Sequence, residues 1–222
     1  MQNRFKKNSE KSVLLHVLWK RGVRSYLPVK ELKKICRVPT TSFYRNVNHL
    51  NAIGAMNVRW KNSSPESKYT LNTYKVDEGM FMIFNYAEKK GLEKVLWGSM
   101  VTNDEGIIRA IYESDGGRAT TREMRGSYGF PIRSIYRKLG YHNRLGSVVS
   151  KEIRMPGSCP DVFKEHILSD KMSALLDYAS DIGMYDALMG TMASPKSRQA
   201  SVGVPIQVKN SYSIWGNRCL IA

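Results

Sequence analysis

The chain has 222 residues, 42% of them hydrophobic, and a formal charge of +16. That apolar content supports a packed core and excludes global disorder. The lack of any run of 18 apolar residues excludes a membrane-spanning helix.

Met1-Gln2-Asn3-Arg4-Phe5-Lys6-Lys7 is basic but has no apolar stretch of signal-peptide type, so secretion is not expected and a cytoplasmic location is. With Lys11 it forms a basic arm that can either track phosphates or fray in solvent. Val13–Trp19 has apolar positions at i, i+1, i+4 and i+5, a helical stripe ended by Gly22. Pro28–Cys36 reads as a second, short helix, because proline is favoured in a helix's first turn. A third helix opens near Pro39-Thr40-Thr41-Ser42, buries Phe43, Val47 and Leu50 on one face, and stops at Gly54. Met56–Trp60 and Tyr69–Leu71 are strands flanking a polar loop, Lys61–Lys68. A longer helical stretch, about 77–97, follows, with Met80, Phe81, Phe84 and Ala87 on an apolar stripe and Gly91 as an interruption.

The second part of the chain repeats this plan at an offset of 92 residues. Glu31, Pro39, Ser42, Tyr44, Arg45, Asn51 and Gly54 meet Glu123, Pro131, Ser134, Tyr136, Arg137, Asn143 and Gly146, which is 7 identities in 28 ungapped positions. Tyr86, Ala87, Gly91, Leu96, Gly98 and Met100 meet Tyr178, Ala179, Gly183, Leu188, Gly190 and Met192. Two separate blocks sharing one offset indicate a duplication. The domains are then 1–100, 101–192 and a basic tail, 193–222. The expected fold class is mostly α with small β-hairpins (α+β), in two tandem copies with trailing helices at about 77–97 and 170–190. Those helices can pair with each other or cap their own domains. His142 stands where the first copy has Leu50, a polar residue on the third helix's core face; Tyr141 or Leu145 is expected to fill the space. The second hairpin is read as Val148–Met155 and Val162–Lys164.

Three helices followed by a hairpin is the winged-helix order. Val38–Val47 and Phe130–Leu139 resemble the turn and recognition helix of the winged helix-turn-helix superfamily, and Tyr69-Thr70-Leu71-Asn72 is similar to the wing exit of MarR-like bacterial regulators. The resemblance covers about 55 residues per copy. It implies that each third helix enters the major groove of double-stranded DNA. The outward positions are then Thr40, Thr41, Tyr44, Arg45 and Asn48, with Ser42 beside them, and Ile132, Arg133, Tyr136 and Arg137, with Ser134 and Lys138 beside them. Arginine can bridge guanine O6 and N7, and asparagine can pair adenine.

Charge sharpens this reading. Residues 1–100 carry a net +12, residues 101–192 net zero and residues 193–222 +4. Yet the two helix-turn-helix stretches match: 26–62 holds +6 and 118–154 holds +7. Lys30, Lys33, Lys34, Arg59 and Lys61 supply phosphate contacts in the first copy, and Arg122, Arg125 and Lys151 in the second. No paired carboxylates, phosphate loop or Ser/His/Asp arrangement appears, so a non-enzymatic, cofactor-free protein is expected. The expected function is sequence-specific DNA binding in transcription regulation, nucleoid-associated and without a membrane partner. Two alternatives stand beside it: a plasmid or phage replication initiator with tandem winged helices, and an interaction module acting on RNA polymerase or another nucleoprotein complex. A second copy of the chain is a further candidate partner. The three cysteines, Cys36, Cys159 and Cys219, are widely spaced and form no CxxC pair, which argues against disulfides or structural zinc. The last four residues match a prenylation pattern, which such short tails also match by accident.

Overall fold

The structure, a computed structural model, describes residues 10–62, 70–102, 105–129, 131–153 and 163–193. It forms two similar halves with one order of elements. The first half runs α1 (Glu10–Arg21), β1 (Leu27–Pro28), α2 (Val29–Cys36), α3 (Thr40–Ala52), β2 (Met56–Asn62), β3 (Thr70–Val76), α4 (Glu78–Lys90) and α5 (Glu93–Thr102). The second runs α6 (Glu105–Tyr112), β4 (Arg118–Thr120), α7 (Thr121–Tyr128), α8 (Ile132–Leu145), β5 (Val148–Ile153), β6 (Phe163–Leu168), α9 (Asp170–Asp181) and α10 (Tyr185–Met192). The fold is α+β and mostly helical, with two small antiparallel sheets, compatible with tandem winged-helix units.

Each sheet has three strands, in the orders β1-β3-β2 and β4-β6-β5, where the sequence suggested two-stranded hairpins. The extra strands, β1 and β4, pair with β3 and β6. Strands of two or three residues are too short to show an alternating pattern. Pro28 caps α2 from an extended conformation and does not begin it. The loop tips 63–69 and 154–162, the start of the basic arm and the tail from 194 lie outside the described residues.

The helical stripes bury as their spacing implies. Leu14, Leu15, Leu18 and Trp19 of α1 and Phe43, Val47 and Leu50 of α3 enter one core, with Tyr74 and Val76 of β3 beneath them. Each trailing stretch is two helices. Gly91 and Gly183 take φ +66° and +70°, and Leu92 and Met184 each donate back to an alanine carbonyl, Ala87 and Ala179, at 2.7 Å. This is the Schellman closure that a left-handed glycine permits.

His142 is fully buried on α8, its Nδ1 2.8 Å from the Ser147 hydroxyl. Ser147 occupies the register of Ala55, so a hydrogen-bonded pair replaces an apolar one. Tyr141 lies edge-on to the His142 ring at 5.9 Å. Leu145 does not fill the space: it packs against Gly98 of the other half.

The halves meet through the trailing helices, α4 on α9 and α5 on α10. A Cβ on Gly98 would overlap Leu145, and one on Gly190 would sit 3.0 Å from both Ile53 Cδ1 and Cγ2. Tyr86 and Tyr178 stack at 4.2 Å with their planes 7° apart. Lys11 is buried here too: its Nζ donates to the Thr191 carbonyl at 2.9 Å and to that of Ala193. It therefore caps the C-terminal end of α10 and is removed from the basic arm expected to reach phosphates. Burial lowers its pKa to about 8 despite the nearby Glu105.

Gly98→Val and Gly190→Val should each overpack this seam and cost about 1–3 kcal/mol, read as a lower Tm. Gly140, in the interior of α8, has nothing within 4 Å of its would-be Cβ. Gly140→Ala should raise stability by about 0.5–1 kcal/mol in the same calorimetric series.

Candidate nucleic-acid interface

Each half presents a helix pair, α2–α3 and α7–α8, joined at residues 37–39 and 129–131. The turn demands a left-handed residue after the first helix. In the second half that residue is Gly129, φ +63°, its N–H bonded to the Arg125 carbonyl at 3.0 Å. In the first half it is Arg37, φ +52°, bonded to the Lys33 carbonyl at 2.9 Å. Arg37 has the one positive φ found among the described non-glycine residues. An L side chain there costs roughly 1–2 kcal/mol. Arg37 is exposed, in the turn that leads into α3. The sequence reading left it out of the candidate contacts; its alignment with Gly129 was the available signal.

The N-termini of α3 and α8 differ from the other helix starts. Eight of the ten described α-helices carry an acidic residue in the first turn: Glu10, Glu31, Glu78, Glu93, Glu105, Glu123, Asp170 and Asp186. α3 and α8 carry none, and both are preceded by a proline cap, Pro39 and Pro131, that makes no side-chain hydrogen bond. By contrast Asp77, Thr120 and Ser169 accept from the first-turn amides of α4, α7 and α9. The positive ends of α3 and α8 are thus left without an internal anion.

Around these ends stand the sequence-nominated residues. Thr40, Thr41, Tyr44, Arg45 and Asn48 are exposed on α3, and Ser42 is half-buried. On α8, Ile132, Arg133, Tyr136 and Arg137 are exposed, with Ser134 and Lys138 half-buried. Lys30 and Lys34 are exposed on α2, as are Arg122 and Arg125 on α7. Lys33 is half-buried: its Nζ donates to Thr40 Oγ1 at 2.8 Å and lies 5.8 Å from the Tyr44 ring. Arg59 on β2 and Lys151 on β5 hold equivalent, exposed positions. Arg59 and Lys75 both approach the Tyr26 ring, at 6.0 and 5.4 Å. Lys61 lies on β2, and its side chain is outside the described residues, as is Phe130. Tyr44 and Tyr136 are 42% and 54% exposed.

A polar network positions the second helix pair. His166 on β6 is buried, with Nε2 3.1 Å from Thr121 Oγ1 at the start of α7 and Nδ1 2.8 Å from Ser150 Oγ on β5. Ser150 in turn pairs with Asn143 of α8. In the first half the matching positions are Val29, Val58 and Tyr74. Burial, with a smaller contribution from Lys164, lowers the His166 pKa to about 4. Among the described residues no group of three or more His, Cys, Asp or Glu could hold a metal ion, and no helix is long and apolar enough to cross a membrane.

A histidine held below its ordinary 6.5 favours the neutral form on folding. Its contribution is complete above about pH 6.5 and is lost as the pH falls towards 4, at up to about 1.4 kcal/mol per pH unit. Urea melts at pH 7 and pH 5 should show this loss, and His166→Gln should flatten the difference. Arg37→Gly should keep or raise the Tm by relieving the left-handed turn. No known family model, curated protein or solved structure matches the chain.

Proposed function

We propose that the protein is a non-enzymatic, sequence-specific binder of double-stranded DNA, acting in transcription regulation, and that each half is a winged helix-turn-helix with α3 or α8 as its recognition helix. The observation that carries this reading is the shared exception at α3 and α8. These two helices lack a first-turn acid and a side-chain cap, and they alone pair that lack with an exposed Tyr-Arg step. An uncapped helix start attracts phosphate, and an arginine one turn further along reaches base edges. B-form DNA admits an α-helix in its wide major groove, whereas the deep, narrow major groove of A-form RNA does not. Arg37 fits the same reading: a turn that favours glycine keeps a cation where a phosphate would lie.

Selection of bound sequences from a random duplex library tests the proposal. One motif should be enriched, and its binding should fall by about 10³–10⁵ between 50 and 200 mM salt if roughly 6–10 phosphates are neutralised. Arg45→Ala or Arg137→Ala should cost about 1–3 kcal/mol on the selected duplex and relax base preference. Lys34→Ala should weaken all sequences by a smaller, uniform amount. A flat salt titration with no enriched motif would overturn the reading.

A further inference from the structure

Tandem copies can be arranged head to tail or about a two-fold axis, and the packing distinguishes the two. Gly98 of α5 receives Leu145, which ends α8. Gly190 of α10 receives Ile53, the C-cap of α3. Under the 92-residue offset Gly98 is Gly190 and Ile53 is Leu145, so the two contacts are one contact made twice, with the halves exchanged. Tyr86 and Tyr178 are also equivalents, and they stack on each other. Reciprocal contacts between equivalent residues, with one pair touching itself, define an isologous, two-fold interface; a head-to-tail arrangement has neither.

The surface that would join two copies of a single-unit protein is therefore occupied within this chain. Its seam is also tied by Lys11 of α1 on the end of α10, and by His49 Nε2, 3.0 Å from the Gly190 carbonyl. Both recognition helices are anchored at this seam by their C-terminal ends, so their N-terminal ends point away from it, related by the same axis.

Resting on the DNA-binding reading, we infer that one chain binds as a ready-made pseudo-dimer to two half-sites in inverted orientation, and that the half-sites differ in sequence. The shared Tyr44-Arg45 and Tyr136-Arg137 steps give the two a common element. The positions before them diverge: Thr40-Thr41 in α3 against Ile132-Arg133 in α8. Ile132 is 46% exposed at the tip of α8, where a wholly apolar side chain suits a thymine methyl group, whereas the threonine at the matching position of α3 also brings a hydroxyl able to hydrogen-bond other bases. Further along, Asn48 aligns with Gly140 under the 92-residue offset, so α3 has a side chain for adenine where α8 has none. The specificity-determining residues of the second half-site are then Ile132 and Arg133, and those of the first are Thr40, Thr41 and Asn48.

The test uses the full chain and the motif from random-duplex selection, with light scattering for stoichiometry and footprinting for position. We expect a complex of one chain per duplex, protected at two inverted, non-identical half-sites. Arg45→Ala should lose protection at one and Arg137→Ala at the other, each with an affinity loss of about 5- to 150-fold. Ile132→Ser, which removes every methyl group, should relax preference for thymine in the Arg137 half-site alone. Both arginines and Ile132 are exposed, and an unchanged Tm will separate lost contacts from lost folding. Two chains on a palindrome, half-sites in direct repeat, or both arginines mapping to one half-site would each overturn the inference while leaving DNA binding intact. Absence of any enriched motif would overturn the DNA reading and this inference with it.

Discussion

Two glycines in helix interiors set the architecture. Gly98 and Gly190 sit where alanine would be worth about 1 kcal/mol more to the isolated helix. Their value lies in what they admit: a bulky aliphatic side chain from the opposite half, seated directly on the helix backbone. Because those side chains, Leu145 and Ile53, close α8 and α3, the seam between the halves and the orientation of the exposed helices are one packing problem. One continuous core runs from α1 through α10. A change at the seam therefore reaches the candidate interface through a single rigid helix, without any loop between.

The parts of this fold that were legible in sequence were those with a long period. The offset of 92 residues, the stripes of α1 and α3, and the glycine breaks at 91 and 183 all persist over enough positions to stand out. The third strand of each sheet did not, since Leu27–Pro28 and Arg118–Thr120 are held by pairing with distant strands. Lys11 was misplaced for a related reason. A lysine near a basic terminus looks solvated until the C-terminal end of α10, 180 residues away, supplies carbonyls for it. Arg37 was overlooked because a left-handed turn is legible only where glycine marks it, as at Gly129. The exposed faces of α3 and α8 were legible from helical spacing alone. The missing first-turn acids were equally visible in the sequence, but they acquire meaning only once every helix start is known.

The halves have kept their backbone plan while exchanging the chemistry beneath it. Leu50 and Ala55 in the first half are His142 and Ser147 in the second, and Val29, Val58 and Tyr74 are Thr121, Ser150 and His166. Each replacement arrived with its hydrogen-bonding partner, as buried polar groups require. At these positions the second half has directional bonds where the first has mainly apolar packing. In a homodimer such drift is impossible, because every substitution appears on both sides of the axis. Joining the copies in one chain freed each core, and each exposed face, to change separately.

The bare starts of α3 and α8 have a further consequence, for the energetics of the free protein. A good side-chain cap contributes about 1 kcal/mol to a helix, and a first-turn acid a few tenths more. Both helices forgo these contributions, so their first turns are held by backbone bonding and packing alone. An anion that settles there would supply the cap that the Pro39 and Pro131 side chains do not. Occupancy and local order are then the same event. The chain would be expected to gain thermal stability in proportion to how tightly its helix starts are held, and the two starts, framed by different neighbours, would tighten at different ligand concentrations.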